Sequence, residues 1–172
     1  MQKIVGLTGR SDVGKTTAGL YLVTQHQFIR RPFARSLKTM LMAIGLAPSH
    51  VDGDLKNEPC DLLCGMTPRR CMQLLGTEFG RGMISPELWT NLWKIDVART
   101  GMPVVADDVR FANEAAAVRE RGGIVVRIDR PGAKPAPEHS SENEMDTIRP
   151  DALIRNVGSL DDLCQALLDV VR

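Results

Sequence analysis

The sequence predicts one α/β domain, with a doubly wound, mainly parallel sheet of five strands and helices on both faces. Short apolar segments alternate with segments of helical periodicity, which is typical of parallel strands joined by helices. A glycine-rich turn lies between the first predicted strand and the first helix, where such sheets carry ligand-binding loops. The 172 residues, of which 43% are hydrophobic, are enough for one domain with a core.

The predicted elements follow in chain order. Strands are expected at 3–7, 28–33, 103–106, 124–128 and 152–154. Helices are expected at 16–26, at 34–44, from 67 to Gly76 or Gly80, from 85 to about 100, at 113–121 and from 159 onward. Residues 45–66 are expected to be mostly loop, because glycine and proline recur through them. Leu88, Leu92, Ile95 and Val97 are expected to face inward, as are Leu160, Leu163, Leu167 and Val170.

The glycine-rich turn at 9–16 fits the pattern G-x-x-x-x-G-K-[ST] without a mismatch. Gly9 and Gly14 allow a tight backbone turn whose N–H groups can surround a phosphate, and the following helix directs its positive end at the same anion. Lys15 adds a mobile positive charge, and the Thr16 hydroxyl can bind magnesium. The pattern therefore predicts binding of a nucleoside triphosphate or a close relative.

Two acids follow the apolar strand at 103–106. A carboxylate at the end of a second buried strand is the usual partner of the loop threonine in holding Mg²⁺. Asp107 and Asp108 both occupy such a position, and the sequence leaves the choice between them open.

Arginines flank the predicted loops and helix starts, and their planar donor fork suits phosphate. They are Arg69, Arg81, Arg110, Arg127 and Arg130. The segment 28–38 contains four basic residues and no acid. Because transfer to a hydroxyl often needs a carboxylate base, this composition favours an acceptor that is already an anion, such as a monophosphate.

Bulk properties limit the other classes of function. A net charge of +1 gives no support to nucleic-acid binding, and the absence of a long apolar run or signal peptide leads us to expect a cytoplasmic protein without membrane association. The four cysteines form no C-x-x-C motif, so thiols in a reducing compartment are favoured over a zinc site that Cys60, Cys64 and His50 could form. Oligomeric state stays open, a homodimer included.

Taken together, these residues resemble the phage-type deoxynucleoside monophosphate kinases, a branch of the P-loop kinases. The resemblance rests on 9–16, Thr67-Pro68-Arg69, Gly76-Thr77-Glu78, Asp108-Val109-Arg110-Phe111, His139 with Ser141-Glu142, and Asn156-Val157-Gly158-Ser159. It implies transfer of the γ-phosphate of ATP to a deoxynucleoside 5′-monophosphate with Mg²⁺, in the host cytoplasm if the protein is phage-encoded. It does not indicate which base is accepted.

The resemblance also implies residue roles within a single domain spanning 1–172. A phosphate loop at 9–17 would bind the donor through Gly9, Ser11, Asp12, Val13, Gly14, Lys15, Thr16 and Thr17. Asn156 and Gly158 would belong to the loop that runs past the adenine ring of the donor. An acceptor region at about 34–100 and a lid at about 131–144 would follow. The acceptor candidates are Lys38, Arg69, Arg81, Arg110 and Glu142, and Lys15, Arg127 and Arg130 would be catalytic. The metal candidates remain those indicated by the residues themselves, Thr16 with Asp108 or Asp107, and Asp107 is an unusual second acid for this family.

Two other readings stay open. A dephospho-coenzyme A kinase resembles the chain in the loop and at 156–159, but it phosphorylates a hydroxyl, and 28–38 contains no acid. A nucleotide-dependent switch would act through a partner, whereas the arginines and the proline-rich segment at 131–137 favour a second small substrate.

Overall fold

A computed structural model describes residues 2–133 and 144–172. Most of the expected lid, including His139 and Glu142, lies outside the described residues. The chain falls into two compact units, of which the first comprises Met1–Phe33 and Lys94–Arg172 and the second Ala34–Trp93. The first unit contains the sheet, and the second is built from helices and turns.

The sheet of the first unit has five strands, all paired in parallel. They are β1 (Ile4–Thr8), β2 (Ile29–Arg30), β3 (Val104–Ala106), β4 (Ile124–Asp129) and β5 (Ala152–Arg155), in the order β2-β3-β1-β4-β5. The predicted parallel sheet is therefore confirmed. The second strand is shorter than expected: Arg31 N still donates to Val105 O at 2.8 Å, but Phe33 N, the next donor in this register, donates to the Asp108 side chain instead of to the main chain after β3.

Seven α-helices lie wholly within the described part of the chain. They are α1 (Lys15–His26), α2 (Arg35–Ala43), α3 (Pro48–Val51), α4 (Pro68–Gln73), α5 (Leu88–Ala98), α6 (Ala112–Glu120) and α7 (Leu160–Val171). Ser159 caps α7 by accepting a hydrogen bond from Asp162 N, as the sequence predicts.

Helices cover both faces of the sheet. Val5 and Leu7 of β1 pack with Leu22 of α1 and Leu167 of α7 in a fully buried core. Gly6 points to the opposite face, since successive residues of a strand alternate sides, and a Cβ there would lie 3.1 Å from Val118 of α6. The doubly wound arrangement is thus confirmed.

The second unit departs from the sequence prediction in two places. The segment expected as loop contains α3 and two 3₁₀ turns, Asp54–Asn57 and Asp61–Leu63. The helix expected to end near Gly76 or Gly80 instead continues from α4 as a π-helix, Leu74–Ile84. Its glycines do not terminate it: a Cβ on Gly80 would lie 2.4 Å from the Trp89 ring, so glycine allows close packing there.

The predicted inward faces of α5 and α7 are partly wrong. Leu92 and Ile95 are 37% and 51% exposed, whereas Trp89 and Trp93 are 4% and 3% exposed. The large rings take the buried positions of α5 because they remove more apolar area from water than leucine or isoleucine does. In α7, Leu160 is exposed because it belongs to the first turn, while Leu163 and Leu167 are buried as expected.

Candidate functional site

The strand order places the candidate site at the carboxyl ends of β1 and β3. The chain leaves β1 through α1 toward β2 on one side of the sheet, and leaves β3 through α6 toward β4 on the other. A crevice forms where neighbouring strands turn away in opposite directions, and ligands of α/β sheets bind there. The phosphate loop follows β1, and the turn that begins at Asp107 and Asp108 follows β3. These two segments therefore both lie at this crevice.

The phosphate loop has the backbone geometry expected from its glycines. Gly9 has φ 135°, and a Cβ there would lie 2.2 Å from Ile128 O of β4, so no other residue fits this position. Gly14 has φ 106° and precedes α1, while Asp12 adopts φ 61°. Asp12 is exposed, and its positive φ is tolerated because aspartate enters this region more readily than most residues. Gly9, Asp12 and Gly14 thus have the positive φ values of a tight turn.

The Lys15 ammonium lies over this loop. Its Nζ donates to Gly9 O and Arg10 O, each at 2.5 Å. Thr16 and Thr17, which follow it in the first turn of α1, are exposed. This first turn thus presents an ammonium, two hydroxyl side chains and a helix N-terminus, all of which attract anions or their counterions.

Asn156 joins the end of β5 to the phosphate loop. Its Nδ2 donates to Val13 O at 2.9 Å, and its backbone N donates to Asp129 O at 2.7 Å. A Cβ on Gly14 would lie 3.0 Å from the same Nδ2. The Asn156 amide therefore lies directly beneath the turn that leads into α1.

The structure separates the two aspartates chemically. Asp107 is 1% exposed in its side chain, and both carboxylate oxygens accept from Arg30 Nε, at 2.9 and 3.0 Å. Asp107 continues the face of β3 that carries Val105, and a Cβ on Gly19 of α1 would lie 3.3 Å from the Asp107 Cβ. Asp107 is thus packed beneath α1 and neutralised by Arg30.

Asp108 lies in the turn after β3 and is half-buried. Its Oδ1 accepts a hydrogen bond from Phe33 N at 2.8 Å. The turn itself is fixed by Glu114, which is 4% exposed and whose Oε2 accepts from Arg110 N at 2.7 Å and Phe111 N at 3.2 Å. A carboxylate at the third position of α6 therefore caps this helix and positions the turn that carries Asp108 and Arg110.

The two arginines of the expected lid base differ in their surroundings. Arg127 is half-buried in β4, and its Nη2 donates to Met145 O at 2.6 Å and Ile148 O at 3.4 Å. Arg130, just after β4, is exposed. Arg127 therefore anchors the chain where it returns from the undescribed segment, while Arg130 is accessible to a ligand.

Three acceptor candidates lie in the second unit and make contacts there. Lys38 forms an ion pair with Asp52. Arg69 Nε donates to Asn57 Oδ1 at 2.6 Å, and Arg81 Nη1 donates to Pro86 O at 3.0 Å. Each of these cations is held at a defined place on its unit.

In the part of the chain that the structure covers, no group of three or more His, Cys, Asp or Glu side chains could hold a metal ion, and no helix is long and apolar enough to cross a membrane. The cysteines, including Cys60 and Cys64, are all unpaired thiols. Burial raises the pKa of Cys71, and burial together with the charge of Asp161 raises that of Cys164.

Sequence reasoning missed three contacts of the first unit. It did not pair Arg30 with Asp107, although Arg30 ends β2, Asp107 directly follows the neighbouring parallel strand β3, and such ends meet. It did not assign Glu114 as a cap, although the spacing from Phe111 is that of a capping residue. Nothing in the sequence signalled the bond from Asn156 to Val13, because these residues are 143 positions apart.

Comparison with known proteins identifies relatives of this chain. A family described as deoxynucleotide monophosphate kinase matches residues 56–167. A putative deoxynucleotide monophosphate kinase from Acanthamoeba polyphaga mimivirus is 33% identical over 184 residues, covering 98% of this chain and 95% of the relative. The deoxynucleotide monophosphate kinase of Enterobacteria phage T4 is 29% identical over 60% of this chain and 45% of its own.

Among solved structures, shikimate kinase from Acinetobacter baumannii matches with a TM-score of 0.53 at 14% identity, covering 99% of this chain and 93% of that chain. That likeness concerns the fold alone. The family match and the full-length viral relative establish that this chain belongs to the deoxynucleotide monophosphate kinase family.

Proposed function

We propose that this protein transfers the γ-phosphate of ATP to a deoxynucleoside 5′-monophosphate with Mg²⁺ and releases the diphosphate. The observation that carries the proposal is the phosphate loop, in which Gly9 and Gly14 have positive φ and Lys15 lies over the turn, in a chain of this family. Phosphoryl transfer needs positioning and positive charge more than covalent chemistry, and this is what the loop can supply.

The loop is assigned to the donor. Its N–H groups and the start of α1 would hold the outer phosphates, with Ser11, Asp12, Val13 and Thr17 forming the remainder of the cradle. Lys15 would exchange its carbonyl contacts for phosphate oxygens, because a charge-assisted bond to an anion is stronger than one to a neutral carbonyl.

Magnesium is assigned to Thr16 and Asp108. The donor set fits a hard cation, since a hydroxyl and a carboxylate offer oxygen ligands at the same edge of the sheet. Asp107 does not fit this role, because both of its oxygens accept from Arg30 and its side chain is buried. The ion, when bound, neutralises charge on the outer phosphates of the donor.

The acceptor monophosphate is assigned to arginines. Arg110 is the candidate in the first unit, because Glu114 fixes its backbone beside Asp108. Lys38, Arg69, Arg81 and Glu142 stay candidates from the sequence. An acceptor phosphate oxygen is already ionised at neutral pH, so the reaction needs no general base, in keeping with the acid-free segment 28–38.

Arg130 and Arg127 are assigned to the transferring phosphoryl group and to the lid, respectively. Arg130 is exposed and follows β4 directly, so its guanidinium is accessible to a ligand. Arg127 would hold the far end of that segment through the Met145 carbonyl. Closure of the segment would exclude water from the donor phosphates and limit wasteful hydrolysis.

The test is a coupled assay of ADP release on a panel of acceptors. With ATP and Mg²⁺, ADP release should depend on a deoxynucleoside monophosphate, and the panel identifies the base. Dependence on dephospho-coenzyme A would support the alternative kinase, and acceptor-independent hydrolysis would support a switch. Lys15→Ala is the control and should remove most of the turnover without unfolding the chain, since a charge on the transferring phosphoryl group is worth roughly 3 kcal/mol or more.

A further inference from the structure

Asn156 has a contact that differs from the adenine contact implied by family resemblance. Its side-chain amide donates to Val13 O at 2.9 Å, inside the phosphate loop. A carbonyl oxygen can only accept, so this contact fixes which end of the amide faces the loop. The backbone of Asn156 is in turn held on β4 through the 2.7 Å bond to Asp129 O.

This contact sets the direction of a phosphate donor. The peptide joining Val13 to Gly14 is planar and trans, so its C=O and N–H point in opposite directions. Drawing Val13 O toward Asn156 therefore turns Gly14 N–H away from Asn156. The Val13 side chain is 2% exposed in the core, which holds the other end of the same peptide.

We propose that Asn156 is a positioning residue of the phosphate loop, which orients Gly14 N–H toward the donor phosphates and does not recognise the base. The inference rests on the proposed function, because it assigns the loop to a polyphosphate. The close approach of the Asn156 amide also favours glycine at position 14, because a Cβ there would lie only 3.0 Å from Nδ2. Asn156 acts through Val13, so its effect should follow the phosphates of the ligand.

The test compares two ligands that share phosphates but not a base. Binding of ATP and of inorganic tripolyphosphate, each with Mg²⁺, is measured by calorimetry for the wild type and Asn156→Ala. The loss of one well-formed hydrogen bond is expected to weaken both ligands equally, by about threefold to tenfold. KM for ATP should rise by the same factor, while KM for the acceptor monophosphate should not change. Gln165→Ala, which removes an exposed amide of α7, is the control and should change neither affinity.

The outcomes distinguish a failure of the Asn156 inference from a failure of the proposed function. Weaker binding of ATP alone would show that Asn156 contacts the base. Unchanged binding of both ligands would show that the contact with Val13 is dispensable. Either result overturns the inference. Asn156→Ser, which keeps a short donor, serves in the same comparison if the alanine variant does not fold, and a partial, equal loss is then expected. Wild-type protein that bound neither ligand would refute the proposed function, and the inference with it.

Discussion

Exchanging each of the two adjacent aspartates for asparagine should give opposite phenotypes. Asp107→Asn is expected to destabilise the fold and to leave the magnesium requirement unchanged. Asp108→Asn is expected to leave the fold intact and to raise the magnesium concentration needed for half-maximal rate. The distinction follows from the Arg30 contacts of Asp107 and from the half-buried position of Asp108 in the turn.

The magnitudes follow from burial and from what the amide retains. Breaking a buried ion pair costs about 3 to 5 kcal/mol, but Arg30 is 28% exposed and an asparagine oxygen can still accept one bond. We therefore expect a loss of about 2 kcal/mol for Asp107→Asn, which lowers the melting temperature of a chain this size by about 4 to 8 °C. In Asp108→Asn the asparagine oxygen can still accept a hydrogen bond from Phe33 N. The free energy of unfolding should therefore fall by less than about 1 kcal/mol.

The assay is thermal unfolding without nucleotide, followed by magnesium titration of the turnover. Asp96→Asn is the matched control, because its ion pair with Arg31 is 3.2 Å long and both side chains are 25% to 31% exposed. It should cost about 1 kcal/mol or less. An Asp107→Asn variant that melted with the wild type and needed more magnesium would refute the assignment. Two variants with normal magnesium titrations would remove the metal role from both acids.

Three further predictions concern other parts of the chain. Gly80→Ala should destabilise by about 1 to 3 kcal/mol through overlap with the indole ring, whereas Gly82→Ala, whose nearest neighbour is at 3.5 Å, should be neutral or stabilising in urea unfolding. Arg130→Ala should lower kcat far more than it weakens ADP binding, because its contact is expected only in the reacting state; an unimpaired kcat would exclude that role. At pH 8 iodoacetamide should alkylate exposed Cys64 well before Cys164, since a raised pKa leaves less thiolate in Cys164 at that pH; mass spectrometry of the time course would reveal the reverse order.

The sheet of the first unit could be predicted because its signals are local. Each strand is a short apolar run, and the turn after β1 has a motif whose glycines require positive φ. The bounds of four strands agree with the prediction to within one residue at each end. β2 is shorter than predicted because Phe33 N, the next donor of its ladder, bonds the side chain of Asp108, a partner that the sequence pattern does not indicate.

The second unit was harder to predict because its glycines serve packing rather than turns. The sequence pattern predicts a helix end at Gly76 or Gly80, yet Trp89 Nε1 donates to Gly76 O at 2.8 Å and its ring lies against Gly80. These contacts join residues 9 and 13 positions apart, across a change of helix, and a periodicity search does not detect them. The same limit applies to Arg30 with Asp107 and to Asn156 with Val13, where the sequence gives each residue type but not its partner.

The turn after β3 shows why two adjacent acids have different roles. Strand alternation places Asp107 on the face of Val105, under α1, where a carboxylate needs a cation and Arg30 supplies it. The next residue must leave that face, and Val109 then returns the chain to the sheet by donating its N–H to Leu7 O at 3.1 Å. Asp108 is therefore held in the turn at the edge of the crevice by the residues on either side of it. The burial of Asp107 and Val109 thus sets the place of Asp108 in the turn, and Phe33 N holds its Oδ1 at 2.8 Å.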